Sequence, residues 1–364
     1  MEQHSHGAGI PLQIRSERPR SASPKDFGAI SIRDEQWRYL PVERLGGLEN
    51  ELTPFSGILS HESLPLAQSI GSVALPEDLV AANVWSLGSA REITLNDGDF
   101  EIVSIESVDV KQGVQFFIKN EPFSKSTIVL DHKGSGSLAE VVEIQVADES
   151  ELTVISIQNL DKDSVITSSQ FAAIGKNSRL KHIVVSIGGK TIRVVPSVSF
   201  TGEGASVEML GAYFANGDQH IEHRPFVDHN MANCVSNVAY KGALQGSKAH
   251  TVWVGDVLIR QAAIGTKTYE LNRNLLLTDG ARADSVPNLE IETGQIEGAG
   301  HASASGRFDD EQLFYLQARG IPEIEAKRLV VKGFLNDVIS QIGNEEIEQH
   351  LNSKIAENLE GTVN

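Results

Sequence analysis

The chain has 364 residues, with 31 Lys and Arg against 49 Asp and Glu, so its formal charge is −18. That excess of acid argues against a general binder of nucleic acid or of an anionic membrane surface, since both would repel it. A single cysteine, Cys234, rules out a disulfide framework within the chain and a multi-cysteine zinc or iron–sulfur site supplied by this chain alone. No apolar run approaches the roughly 20 residues that span a bilayer. The first residues, MEQHSHGAGIPLQIRSERPR, lack the apolar centre of a secretion signal. The cytoplasm is therefore the expected compartment.

Residues 1–30 are rich in Ser, Arg, Pro, Gly and His without apolar periodicity, and read as a mobile arm. Residues 31–79 form a helical or irregular segment. Within DEQWRYLPVERL, Trp37, Leu40 and Leu45 make a short apolar stripe that stops at Gly46–Gly47, and Pro41 prevents one continuous helix.

Residues 80–306 carry a β pattern. STIVLDH, AEVVEIQVA, ELTVISIQ, LKHIVVSIG, TIRVVPSVSF, SVEMLGAYF, HTVWVGDVLI and NLLLTDG are rich in Val, Ile and Thr, and many alternate with period two. Short turns of Gly, Asn, Asp and Ser separate them. No long amphipathic helix interrupts the series, which excludes an alternating βαβ architecture. Turn–strand units such as GKNSRLKHI, GEGASVEML, GSKAHTVWV and GTKTYELNR resemble one another. Their starts lie about 27 residues apart at first and roughly 16–18 apart later, the periodicity of coils stacked in a solenoid. A β-sandwich is the rival architecture, although sandwiches seldom run this long as one domain.

Residues 307–364 turn helical. FDDEQLFYLQARG offers Asp309 as an N-cap, Glu311 near the positive helix end and Gly320 as the stop. Pro322 suits the first turn of a second helix with an apolar stripe of Ile324, Leu329, Val330, Phe334, Val338 and Ile339, running up to Gly343. Asn344 caps a third helix with Ile347, Leu351, Ile355 and Leu359 at four-residue spacing.

Several strings look chemical. GGKT, Gly188 to Thr191, has Val184 where a phosphate loop needs glycine, and strands on both sides, so a β-turn is the better reading. Gly134-Ser-Gly136-Ser-Leu-Ala139 fits a weak dinucleotide fingerprint but is followed by strand alternation rather than a helix. DQHIEHRPFVDHN concentrates Asp218, His220, His223, Asp228 and His229, all metal-binding types. On a regular strand His220 and His223 face opposite sides, whereas His220 shares parity with Asp218 and Asp228. Surface and coil-stacking polar residues are the plainer explanation. Cys234, in a strand-like context, reads as a small buried apolar residue. His301 lies where the β pattern ends, between Gly298, Gly300 and other small residues that leave an imidazole accessible. A neutral imidazole there is a candidate iron ligand.

Four strings carry a resemblance over residues 196–340: HIEHRPFVDHNMANCVSNVAYKGALQG, VWVGDVLIRQAAIGTKTYELNRNLLLTDGARADSVPNLEIE, HASASGRFDDEQLFYLQARGI and AKRLVVKGFLNDVI. In order and spacing they resemble the SufB/SufD family, the scaffold subunits of the SUF iron–sulfur cluster assembly machinery. EQWRYLPVERL near the N-terminus also resembles the SufD branch. SufB-like chains carry a sulfur-receiving cysteine after the LLL-x-D element, where this chain has Ala281, and a Glu after the histidine matching His301, where it has Ala302. Some SufD-like chains have a cysteine two residues before that histidine; here it is Ala299. His301 is the position retained, matching a SufD-type histidine at the cluster-forming interface.

The resemblance implies a right-handed parallel β-helix with a small C-terminal helical domain, acting as a non-catalytic scaffold. It implies a SufB-like partner beside the β-helix end and a SufC-like ATPase docked on the C-terminal helices, where Phe314, Tyr315, Arg319, Gly320 and Phe334 are the candidate contacts. Packing of those helices against the β-helix end is their alternative role. A transient iron–sulfur cluster at the seam is the implied cargo, with His301 as this chain's ligand. The alternative is a purely structural scaffold with no metal role at His301. Whether a reduced flavin binds the assembled complex, and whether the isolated chain forms a homodimer, are left open by the sequence. Two other classes fare worse. A carbohydrate-active β-helix enzyme is disfavoured by the acidic charge and the lack of an export signal, and a SufB-like homodimer by Ala281 and Ala302.

Overall fold

The structure, a computed structural model, describes residues 15, 18–61, 64–68, 70–308 and 310–360. Two sheets of strands, parallel except for the short segment Ile58–Leu59, face one another, ten strands in one and nine in the other among the described residues. The chain passes from one sheet to the other and back, so each coil adds a strand to both. Arg179 pairs with Glu151 and with Ser206, 28 and 27 residues away, and Val235 pairs with Lys267, 32 residues on. The 27-residue spacing in the sequence is thus one full coil. The shorter spacing is half a coil, because His250–Ile259 and Lys267–Leu276 belong to opposite sheets. This parallel winding is a β-solenoid and excludes the sandwich.

Strands buried on both faces read as nearly continuous apolar runs, and Val165–Ile174 is buried at every position. Three packed layers account for this. Between the sheets lie Leu130, Ile144, Val154, Leu180, Val184, Ile192 and Phe200. On the outer face of the ten-stranded sheet, Val141 and Phe171 are covered by Trp37, Leu40, Leu45, Val80 and Val84. The last two of these belong to helix α1 (Leu79–Trp85), whose N-cap, Asp78, accepts a hydrogen bond from the Ala81 amide at 2.9 Å. Of the arm expected over residues 1–30, residues 1–14 and 16–17 lie outside the described residues. In the rest, Arg15 donates to Ser197 Oγ at 2.7 Å and Arg20 pairs with Glu77 at 2.8 Å.

The outer face of the nine-stranded sheet carries the C-terminal helices α3 (Glu323–Ile339) and α4 (Glu345–Glu360), and the preceding helix α2 (Asp310–Ala318) packs on α3. Val331, Leu335, Val338 and Ile339 of α3, with Leu351, Ile355 and Leu359 of α4, pack on Ile155, Ile183, Val185, Leu210 and Phe214. These helices therefore lie along the flank of the solenoid, not against its end, because the outward side of its middle strands is apolar. The stripe of α3 is also rotated from its expected position: Val331 and Leu335 are buried while Leu329 is 52 % exposed. The N-cap expected at Asp309 lies outside the described residues. Among the described residues no helix is long and apolar enough to cross a membrane.

The interior also holds polar side chains in hydrogen-bonded pairs. His182 Nε2 donates to Gln170 Oε1 at 2.6 Å, and His229 Nε2 meets Ser236 Oγ at 2.8 Å. His223 lies between the rings of Tyr213 and Tyr240 and bonds Ser186 Oγ at 2.9 Å. Burial pushes the imidazoles of His182 and His229 down to about 4 and that of His223 to about 3. The unfolded chain takes up these protons near pH 6.5 and the folded chain only near pH 3–4, so stability is lost as pH falls through that window. His132, raised on balance by Glu140 against its burial, works in the opposite sense. Each depressed imidazole costs about 1.4 kcal/mol per pH unit below 6.5. The urea midpoint is expected to be clearly lower at pH 5 than at pH 7.5; equal midpoints would refute the neutral, buried assignment of the three histidines.

Candidate functional site at the open end of the solenoid

The two ends of the solenoid differ. At the first coils, Ile58–Leu59 pairs antiparallel with Glu106 and Ile105, and Leu66 bridges Arg91. These short segments cover strand edges that would otherwise template another chain. At the last coil, among the described residues, Arg282–Ile291 pairs only with His250–Ile259, and Gly298–Arg307 only with Lys267–Leu276. Both final strands present a free edge, and neither contains a buried side chain.

His301 sits in the final strand, opposite Glu270 in register. Along Lys267–Leu276, Thr268, Glu270, Asn272 and Asn274 are buried, while Lys267, Tyr269 and Arg273 are exposed. The even positions therefore face inward. Ladder partners share a face, so Ala299, His301, Ser303 and Ser305 also lie on the inward side, over the mouth of the solenoid. Ser303 Oγ reaches Ser285 Oγ across that mouth at 2.8 Å. His301 is exposed because no further coil closes over it. The small residues flanking it signalled accessibility; its inward orientation required the register.

Glu270, the ladder partner of His301, is a candidate that sequence reasoning missed. Its side chain is in the interior at 1 % exposure, and neither carboxylate oxygen has a hydrogen-bond partner. Burial, with a further push from Asp256, raises its carboxyl to about 8. Gly255, on the opposite sheet, makes room for it: a Cβ there would stand 2.6 Å from Glu270 Oε1. Beside it, Tyr213 Oη donates to Asn274 Oδ1 at 2.7 Å, and Asn272 Nδ2 donates to Tyr213 Oη at 2.9 Å. An acidic residue at an inward position is the signal, visible only once the parity of the strand is known.

The other sequence candidates lie elsewhere. The chain between His220–His223 and Phe226–His229 breaks at Arg224–Pro225. His220 faces outward, 3.2 Å from His250 Nδ1, which is part of an outer ion network; His223 faces the interior. Asp228 holds Arg260 by two hydrogen bonds of 2.7 and 2.8 Å. Among the described residues no group of three or more His, Cys, Asp or Glu is arranged to hold a metal ion. Cys234 is buried near the carbonyls of Gly202 and Ala232, and its burial raises the thiol. In GGKT, Gly188 and Gly189 take φ of 89° and 63°, a tight turn between strands.

On the flank, Phe314 and Tyr315 of α2 are 72 % and 55 % exposed. The Arg319 guanidinium lies 4.5 Å from the Tyr315 ring centre, and Gly320, at φ 83°, ends the helix. Phe334 of α3 is instead half-buried, with Lys241 Nζ 5.1 Å from its ring. The five candidate docking residues therefore divide between an exposed group on α2 and its turn and one side chain packed toward the sheet.

The SUF system FeS cluster assembly, SufBD core domain family matches residues 104–334. An iron–sulfur cluster assembly SufBD family protein of Mycobacterium bovis is 44 % identical over 354 residues, covering 91 % of this chain and 89 % of that protein. The iron–sulfur cluster assembly protein SufD of Escherichia coli is 23 % identical over 385 residues, covering 92 % and 90 %. A second, different SufBD family protein of M. bovis is 29 % identical over 232 residues, covering 64 % of this chain and 27 % of that protein.

Proposed function

The chain belongs to the SufBD family of the SUF iron–sulfur cluster assembly system, and from that premise we propose that it is a non-catalytic scaffold subunit that pairs with a SufB-like relative. The observation that carries this reading is the bare last coil, two free strand edges with an exposed imidazole on the final strand. An unpaired parallel edge is completed by a strand of another chain. Two distinct family members in M. bovis are in keeping with pairing between unlike subunits.

In this proposal the cluster is cargo, formed transiently at the seam. His301 supplies a nitrogen donor, and the partner supplies thiolate and carboxylate, since Ala281, Ala299 and Ala302 stand at the positions where the family resemblance implies such groups and carry none. A SufC-like ATPase docks on the C-terminal helices, and its ATP-driven closure strains the scaffold pair and opens the seam. Reduced flavin is a second molecule to test for in the assembled complex, and a homodimer is the form to test for in the isolated chain. The compartment we propose is the cytoplasm, since one unpaired thiol requires no oxidising environment. Co-expression with SufB-like and SufC-like proteins, followed by native mass measurement, is expected to return a complex containing all three. Recovery of this chain alone would contradict the proposal.

Docking gives a separate expectation. Phe314 is exposed and makes little of the fold, so Phe314→Asp is expected to abolish ATPase capture while leaving circular dichroism unchanged. Phe334→Asp is expected to lower stability as well, because its ring packs at the helix–sheet core. Undiminished ATPase binding by Phe314→Asp would remove α2 from the docking surface.

A further inference from the structure

We propose that Glu270 and His301 together form a two-donor site for a divalent metal ion in the mouth of the solenoid. This deepens the reading of His301 as an iron ligand and rests on it. A buried carboxyl with both oxygens unpartnered is an incomplete group, because burial without a compensating partner is unfavourable. Its nearest inward-facing position on the free side is His301, its ladder partner. Paired strands lie about 4.8 Å apart, and metal–nitrogen and metal–oxygen bonds are about 2.1 Å, so side chains from paired positions can converge on one ion. Imidazole with carboxylate suits ferrous iron. Gly255 lets the carboxylate reach across the mouth toward the opposite sheet, where Glu270 Oε1 and the Trp253 indole take the space a Cβ would fill. The residues next to His301 on the inward face, Ala299 and Ser303, are small, and the free edge leaves the remaining coordination positions to a partner chain.

The test is anaerobic titration of the full-length chain with Co²⁺, a spectroscopic stand-in, and with Fe²⁺, read by calorimetry and by Co²⁺ absorption. Wild type is expected to bind one ion per chain, with affinity reduced at least about tenfold in both Glu270→Gln and His301→Ala. Glu270→Asp, which keeps the charge on a shorter stem, is expected to retain part of the affinity and serves if the glutamine variant does not fold. Wild-type affinity in Glu270→Gln with loss in His301→Ala overturns the pair and leaves His301 standing as a ligand. Loss in Glu270→Gln with none in His301→Ala overturns the pair and the His301 reading together. No uptake by wild type, or no change in either variant, also overturns the site.

Discussion

His301→Ala is expected to lower cluster maturation by about tenfold or more while the chain still folds and still binds its SufB-like partner. The imidazole is exposed on the last strand, makes no hydrogen bond to another described residue, and is flanked by small side chains. An exposed substitution of this kind changes stability by about 0.5 kcal/mol or less, so a maturation defect cannot be ascribed to unfolding. The measurement is enzyme maturation in cells depleted of the native gene, alongside iron spectroscopy of the complex reconstituted anaerobically. His301→Cys is expected to recover part of the activity, because a thiolate is also an iron ligand. Normal maturation by the alanine variant would favour the purely structural scaffold.

Arg224→Ala is expected to cost about 3–5 kcal/mol, the range for breaking a buried ion pair by removing one partner. Arg224 is fully buried and followed by Pro225, which cannot donate to the ladder, so the strand breaks there. Its guanidinium donates to the Gln36 carbonyl at 2.9 Å, to Glu35 Oε1 at 2.6 Å and to Glu222 Oε1 at 3.3 Å. It therefore ties the N-terminal covering segment to the sheet. Burial opposes its charge, but Glu222, Glu35 and Asp256 outweigh that and raise it. Against the upward push of burial, His220, Arg193 and Arg224 hold Glu222 down to about 2. Removing Arg224 leaves part of that negative charge uncompensated in the interior. Arg224→Lys, with charge but no fork, is expected to fall between. A shift below about 1 kcal/mol in urea unfolding would show that the covering segment is held by its apolar contacts alone.

These residues show where the sequence was informative. Coil length was visible because turns of Gly and Asn recur at the corners, and the helix α4 because Leu351, Ile355 and Leu359 repeat at the helical period. His301 was legible through its small neighbours and family-like context. Glu270 was not, since an acid in an alternating strand ordinarily faces solvent, and only pairing with a neighbouring coil reveals its side. The role of Arg224 is not legible in HIEHRPFVDH, because the arginine's partners, Glu35 and Gln36, lie some 190 residues earlier in the chain. The rotated face of α3 escaped for a similar reason. Leu329 and Val331 are equally apolar, and the shape of the sheet beneath decides which is buried.

Hydrogen exchange of the chain alone and bound to its SufB-like partner tests the seam most directly. Slower exchange is expected in 282–291 and 298–307, the strands with free edges, with no change in the doubly covered strands of 137–200. A stable complex that leaves those two final strands unprotected would contradict a shared seam at the open end.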